Sequence, residues 1–198
     1  MHKGMLIVIS APSGTGKSTI CQKLLQKRRN LRYSISCTTR QPRPREKHGK
    51  HYFFLSKEEF KRKIQRNEFL EWAVVHDQYY GTPRQFIESS LKEGWSIMLA
   101  IDVKGARTIQ GKQPDSVLIF VAPPSLESLR ERLAARRDPS ESVAKRLANS
   151  KDELSAAKNY DYLVVNDELD KAVSQIESIL TAESLKTGRQ PVSDLVCA

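Results

Sequence analysis

The apolar positions of this chain recur with two spacings. Met5-Leu6-Ile7-Val8-Ile9 is apolar without interruption and stops at Ser10-Ala11-Pro12. A short run that is apolar on both faces and closed by turn residues predicts a buried strand of a parallel sheet. The same pattern returns at Ser96–Ile101, Val117–Val121 and Tyr162–Val165. Between these runs lie amphipathic stretches: Ile20–Leu25 running into Lys27-Arg28-Arg29, then Arg84–Glu93, Leu126–Ala135, Ser142–Asn159 and Leu169–Leu185. Strands alternating with helices predict an α/β fold of three layers, a central parallel sheet with helices on both sides.

Residues 32–82 do not keep this rhythm. They hold strand-like pieces at Tyr52–Leu55 and Phe69–Val75, a helical stretch at Lys57–Arg66, and Gly and Pro punctuation. The pattern predicts an inserted mixed α/β lobe at about 35–82, set into a core of residues 1–34 and 83–190. Arg137-Asp138-Pro139-Ser140-Glu141 interrupts two helices and predicts a short mobile segment. The pattern fades after Thr187, so the chain from Gly188 is expected to fray, with 191–198 a flexible tail.

Composition narrows the classes. The chain has 198 residues, 39% hydrophobic and 28% charged, which suits one soluble globular unit with a sizeable core. Its formal net charge of +10 favours phosphate-bearing partners. Cys21, Cys37 and Cys197 lie far apart, without the spacing of a redox or zinc site, which predicts free thiols in a reducing cytoplasm. The apolar run at the N-terminus is too short for a signal-peptide core, and no later segment could span a bilayer.

Chemistry enters with Ala11-Pro12-Ser13-Gly14-Thr15-Gly16-Lys17-Ser18, followed by Thr19. This is the spacing of a P-loop, with Ala11 where the strict pattern has Gly. Gly14 and Gly16 allow successive backbone N–H groups to turn toward one anion, at the positive end of the following helix. Lys17 can reach the terminal phosphates of a bound nucleotide, and the Ser18 hydroxyl suits a Mg²⁺ ligand. A second basic element follows at Arg40-Gln41-Pro42-Arg43-Pro44-Arg45. Proline stiffens such a segment, and guanidinium forks match phosphate oxygens, so either a phosphate clamp or a solvated basic loop is compatible with it.

Taken together, Ser-Ala-Pro-Ser-Gly-Thr-Gly-Lys-Ser-Thr, Thr-Thr-Arg-Gln-Pro-Arg, Gly-Lys-His-Tyr-Phe-Phe, Phe-Leu-Glu-Trp-Ala, Tyr-Tyr-Gly-Thr and Val-Val-Asn-Asp resemble the guanylate kinase family in order and spacing, over roughly residues 4–186. The resemblance implies transfer of the γ-phosphoryl of ATP to GMP and dGMP, with Mg²⁺. It assigns the acceptor phosphate to Arg40, Arg43, Tyr52 and Tyr80, and the guanine to Ser36, Glu71, Thr82 and Asp102. It gives charge at the transferred group to Lys17, Arg132, Arg136 and Arg146, the arginines serving a lid at about 136–146 that closes over ATP, and sets Asn166 near the adenine. Guanine offers donors at N1 and N2, so a carboxylate such as Glu71 can accept from both, while adenine would set a lone pair against it. The acceptor is a phosphate oxygen with a second pKa of about 6, already largely ionised, so no histidine is required as a base. His2, His48, His51 and His76 read as surface or loop residues.

Two features depart from that family. Leu99-Ala100-Ile101-Asp102 stands where the family has Leu-Asp-Ile-Asp, so one carboxylate is missing. The lid is one residue shorter, which leaves Arg136 and Arg137 as alternatives for one position. Other classes fit less well. A non-catalytic binding module of the same fold would lack Lys17 and the arginines. Residues 23–66 carry 15 Lys/Arg against 3 Asp/Glu, a footprint that nucleic acid could use, but no nucleic-acid-reading module accompanies it. A sugar phosphate acceptor would not need Ser36, Glu71, Thr82 and Asp102. The expected partners are small nucleotides, with no membrane or nucleic acid, and the chain acting as a monomer or homodimer.

Overall fold

The computed structural model describes residues 3–75, 77–135 and 143–190. Five strands form an all-parallel sheet: β1 (Leu6–Ser10), β2 (Leu31–Tyr33), β7 (Ser96–Ala100), β8 (Val117–Ala122) and β9 (Tyr162–Val165), in the order β2-β7-β1-β8-β9. Because side chains alternate along a strand, β1 feeds two cores. Ile7 and Ile9 meet Ile20 and Leu24 of helix α1 (Lys17–Lys27) and Val173 and Ile176 of helix α7 (Leu169–Ser184). Leu6 and Val8 meet Ile87 of α3 (Arg84–Lys92) and Ile109 of α4 (Val103–Lys112). Each aliphatic side chain removed from water contributes about 1.5–3 kcal/mol, which is why β1 carries no polar residue before Ser10.

A second sheet stands beside the first, ordered β4-β3-β6-β5, from β3 (Cys37–Thr38), β4 (Phe53–Phe54), β5 (Phe69–Val75) and β6 (Gln78–Pro83). Its own core is Cys37, Phe60 and Phe69, with Phe60 of α2 (Lys57–Gln65) stacked on Phe69 at 4.5 Å between ring centroids. A capping box starts α2: Ser56 accepts from the Glu59 N–H, and the Glu59 side chain accepts from the Ser56 N–H. Two further helices, α5 (Leu126–Ala135) and α6 (Val143–Ser155), pack on each other, and a 3-10 turn at Ala156–Asn159 leads into β9.

The structure differs from the sequence pattern at five places. The parallel sheet has five strands rather than four, because Leu31-Arg32-Tyr33 pairs with Ser96-Ile97-Met98 although only Leu31 is buried. Helix α4 lies where no helix is expected, its ten residues including two glycines. It is started instead by Asp102, whose Oδ1 accepts from the backbone N–H of Lys104 at 2.7 Å and of Gly105 at 3.0 Å. Strands β3 and β6 complete the second sheet, and neither is in the expected set. Helix α1 begins at Lys17, three residues before the apolar stretch, its first turn closed by the Gly16 carbonyl, which accepts from the Thr19 and Ile20 N–H groups at 3.1 Å each.

The fifth difference concerns the end of the chain. Gly188 to Gln190 do not fray. Arg189 donates to the Glu183 carboxylate and carbonyl and to the Asp115 carbonyl, and its own carbonyl accepts from the Lys3 N–H. The tail at 191–198, the lid segment at 137–141, Arg136 and His76 lie outside the described residues.

Candidate active site

The crevice at the carboxyl ends of parallel strands is where an open α/β sheet binds ligands. Here it begins with Ala11–Gly16, between β1 and α1. The Thr15 N–H bonds the Pro12 carbonyl at 3.2 Å, which closes the loop, and Gly14 and Gly16 both have positive φ. No acidic residue occupies the first turn of α1, and no side chain caps it. Its N-terminal N–H groups and positive dipole end therefore face the loop, a ready site for phosphate. Ser13, Ser18 and Thr19 are exposed there.

Lys17 is partly buried, and its Nζ donates to the Ile101 carbonyl at 3.0 Å. Burial pulls its pKa below the ordinary lysine value, against the opposing pull of neighbouring groups that include the Asp102 and Glu153 carboxylates. Glu153, on α6, is absent from the sequence-based set. Burial raises its carboxyl to about 7 despite the Lys17 charge, and it lies within reach of the Ser13 backbone N–H. One acid on an amphipathic helix carries no signal in sequence. Only the packing of α6 over the loop brings it to Lys17.

Asn166 and Arg132 brace the loop from the other side. The Asn166 Nδ2 donates to the Thr15 carbonyl at 2.6 Å, and a Cβ on Gly16 would stand 2.7 Å from that nitrogen. Arg132, on α5, donates from Nη1 and Nη2 to the Asn166 carbonyl at 3.2 Å each, and from Nη1 to the Thr15 carbonyl at 3.5 Å. Arg146 is buried on α6, where its carbonyl accepts from the Ser150 hydroxyl.

On the opposite wall, a cavity of about 130 Å³ brings together Lys17, Ser36, Tyr52, Glu71, Tyr80 and Asp102, residues spread over 86 positions of sequence. Ala100 and Ile101 line it too, at the end of β7. A bulge in β5 at Leu70 aims these side chains: Phe69 pairs with Pro83, but Glu71 pairs with Thr82. Leu70 thereby enters the α4 side of the main core, and Glu71 turns into the cavity, only 3% exposed. The Thr82 hydroxyl donates to Glu71 Oε1. Burial pushes the Glu71 carboxyl up to about 7, with the Thr82 bond opposing and Asp102 adding to the rise.

The basic segment is built rather than loose. Arg40 is forked onto Glu46, Nη1 to Oε2 at 2.8 Å and Nη2 to Oε1 at 3.0 Å, and the same Oε2 accepts from the Arg43 N–H at 2.8 Å. Burial would lower the Arg40 pKa, but the Glu46 and Tyr80 partners outweigh it and hold the guanidinium charged. The Arg40 guanidinium also lies 5.3 Å over the Tyr52 ring, and the Tyr52 and Tyr80 rings meet edge-on at 6.0 Å. Arg43 is exposed beside them. Glu46 is a second residue outside the sequence-based set. One acid directly after three closely spaced arginines is the sign that could have found it. His48 and His51 accept backbone N–H bonds within their own loop.

Among the described residues no group of three or more His, Cys, Asp or Glu side chains is arranged to hold a metal. The exposed Ser18 hydroxyl at the start of α1 fits a cation that arrives on a nucleotide and keeps most of its water. No described helix is long and apolar enough to cross a membrane, and Cys21 and Cys37 are buried free thiols.

Comparison with known proteins follows this geometry. The family model described as guanylate kinase matches residues 3–183. A guanylate kinase of Caldanaerobacter subterraneus subsp. tengcongensis is 49% identical over 188 residues, covering 94% of this chain and 91% of that protein. One of Thermotoga maritima is 47% identical over 188 residues, covering 94% and 91%. The crystal structure of a guanylate kinase from Anaplasma phagocytophilum superposes with a TM-score of 0.85 at 36% identity, covering 99% of this chain and 95% of that one.

Proposed function

The chain belongs to the guanylate kinase family and transfers the γ-phosphoryl group of ATP to GMP, and we propose that the phosphate loop and the cavity beside it carry that reaction. The observation that supports this reading is convergence: six residues assigned separately to phosphate transfer, phosphate clamping and base reading line one cavity. In this reading residues 35–82 form the GMP-binding lobe, and residues 1–34 with 83–190 form the ATP-binding core.

Residues 11–19 cradle the ATP phosphates through backbone N–H groups, and Asn166 holds the loop in shape for them. Arg40, Arg43, Tyr52 and Tyr80 clamp the acceptor phosphate, Arg40 being aimed by Glu46. Ionised Glu71 accepts from guanine N1–H and N2–H, with Ser36, Thr82 and Asp102 completing the base contacts. Those guanine donors replace the water that burial removed from the carboxylate, so bound GMP favours the charged form. The attacking phosphate oxygen needs no base, having a second pKa of about 6. What remains is alignment in line with the γ-phosphoryl and positive charge around it, from Lys17, Arg132, Arg136 and Arg146. Arg136 acts from the lid at 136–146.

Mg²⁺ fits as the partner of ATP. Ser18 would hold it, and it would neutralise charge on the phosphate oxygens. The same base and phosphate contacts extend to dGMP. The chain would act as a monomer or a homodimer. The reduced thiols and free-nucleotide substrates suit the cytoplasm. ADP release from Mg·ATP, measured with GMP, AMP, UMP and CMP in parallel, tests the site reading. GMP alone is expected to turn over rapidly. Comparable turnover with AMP would overturn the base-reading role of the cavity.

A further inference from the structure

Helix α4, which the sequence pattern does not announce, packs its first turn on β5. At that contact Gly105 is buried. A Cβ there would stand 2.8 Å from Glu71 Oε2 and 3.2 Å from Glu71 Cδ, closer than carbon and oxygen tolerate without movement. Gly105 is not among the described glycines with positive φ, so the backbone does not require glycine. A helix interior disfavours glycine relative to alanine. Its N–H is already bound to Asp102 Oδ1, so the neighbouring turn cannot shift without disturbing the start of α4. The next nearest atom after the Glu71 carboxyl is an Ile101 methyl carbon at 3.3 Å.

We propose that Gly105 is a specificity-determining residue: its missing side chain opens the slot in which the Glu71 carboxylate stands. With Oε1 on the Thr82 hydroxyl and Oε2 against the first turn of α4, the carboxylate is held in one orientation for the base. Gly105 acts through Glu71 and is a positioning residue. The inference rests on the assignment of Glu71 to guanine.

The test uses Gly105→Ala, Glu71→Asp, their double variant and Glu71→Gln, assayed with GMP and with IMP, which lacks the N2 donor, and Glu71→Ala with and without Gly105→Ala for the thermal arm. Gly105→Ala should lower kcat/KM for GMP and the GMP/IMP ratio by about 10–100-fold, with KM for ATP within about twofold of the parent. The shorter Glu71→Asp side chain should make room for the added methyl, so the double variant should lose much less than the product of the two single losses. A thermal readout is independent of turnover. Gly105→Ala should lower Tm in the parent but raise it in a Glu71→Ala background, where the slot is empty and alanine is the better helix former. An unchanged GMP/IMP ratio in Gly105→Ala, strictly multiplicative losses, or the same Tm change in both backgrounds would overturn the proposal. Glu71→Gln with an unchanged GMP/IMP ratio would instead remove the guanine assignment itself.

Discussion

Glu71 and Glu183 are each 3% exposed, yet one carboxyl is raised to about 7 and the other lowered to about 2. Glu71 stands in the cavity at the carboxyl ends of the central strands, where the Thr82 hydroxyl is its hydrogen-bond partner and Asp102 adds like charge. Glu183 stands at the amino ends of β8 and β9. Burial alone would raise it, but Lys186, Tyr162 and Arg189 outweigh that cost. Tyr162 donates at 2.5 Å, Lys186 at 2.7 Å, and Arg189 through a close contact. The difference is one of completed valence. Glu183 ties the end of the chain to α7 and to the Asp115 strand entry, and its partners are all internal. Glu71 has been left short of donors, and in the proposed guanine contact the substrate base would supply them.

The largest expected effect separates function from stability. Glu71→Gln should reduce kcat/KM for GMP by about 100-fold or more, since a buried site built on hydrogen-bonded donors tolerates a lost acceptor poorly. Tm at pH 8 should stay level or rise, because a buried charge without its ligand has been removed. Arg189→Ala should do the reverse. Stability should fall by about 2–3 kcal/mol, less than the 3–5 kcal/mol of a fully broken buried pair because Lys186 remains. Steady-state kinetics should be unaltered. Denaturant melts and initial rates on both variants decide this, and an Arg189→Ala enzyme with normal stability would erase the contrast.

A pH series sharpens the same comparison. Glu71 and Glu153 are raised to about 7, so between the ordinary carboxyl value and about 7 the folded chain holds protons that the unfolded chain has released. Their contribution to stability is present at low pH and is lost as pH rises through about 7, by about 1–3 kcal/mol per carboxyl. Glu183 runs the other way: its contribution is present above the ordinary carboxyl range and is lost as pH falls toward about 2. The KM for GMP should rise as pH drops from 8 to 6 while Glu71 takes up its proton, and Glu71→Gln should flatten that rise. The smallest effect belongs to the surface. Lys27→Ala breaks an exposed pair with Glu177 and should cost well under about 1 kcal/mol, vanishing in high salt.

The contrast also explains what was legible before folding. Phe69-Leu70-Glu71-Trp72 reads as strand, but only the bulge at Leu70 turns Glu71 inward rather than leaving it on an exposed edge. Glu46 could have been noticed, because it follows Arg45 directly in a basic run. Glu153 and Gly105 could not. Each acts on a residue far away in sequence, and neither breaks the local pattern of its helix.

By itself the sequence determined the alternation of apolar strands and amphipathic helices, the P-loop spacing at 11–18 and the arginines set among prolines at 40–45. These are local properties: burial on both faces, left-handed glycines and proline-stiffened chain follow from a few adjacent residues. Tertiary structure alone decided the three-residue strand β2, the docking of Gly188–Gln190 and the meeting of Lys17 with Glu71 and Asp102. Those depend on partners tens of residues away, where strand pairing and burial outweigh weak local preference.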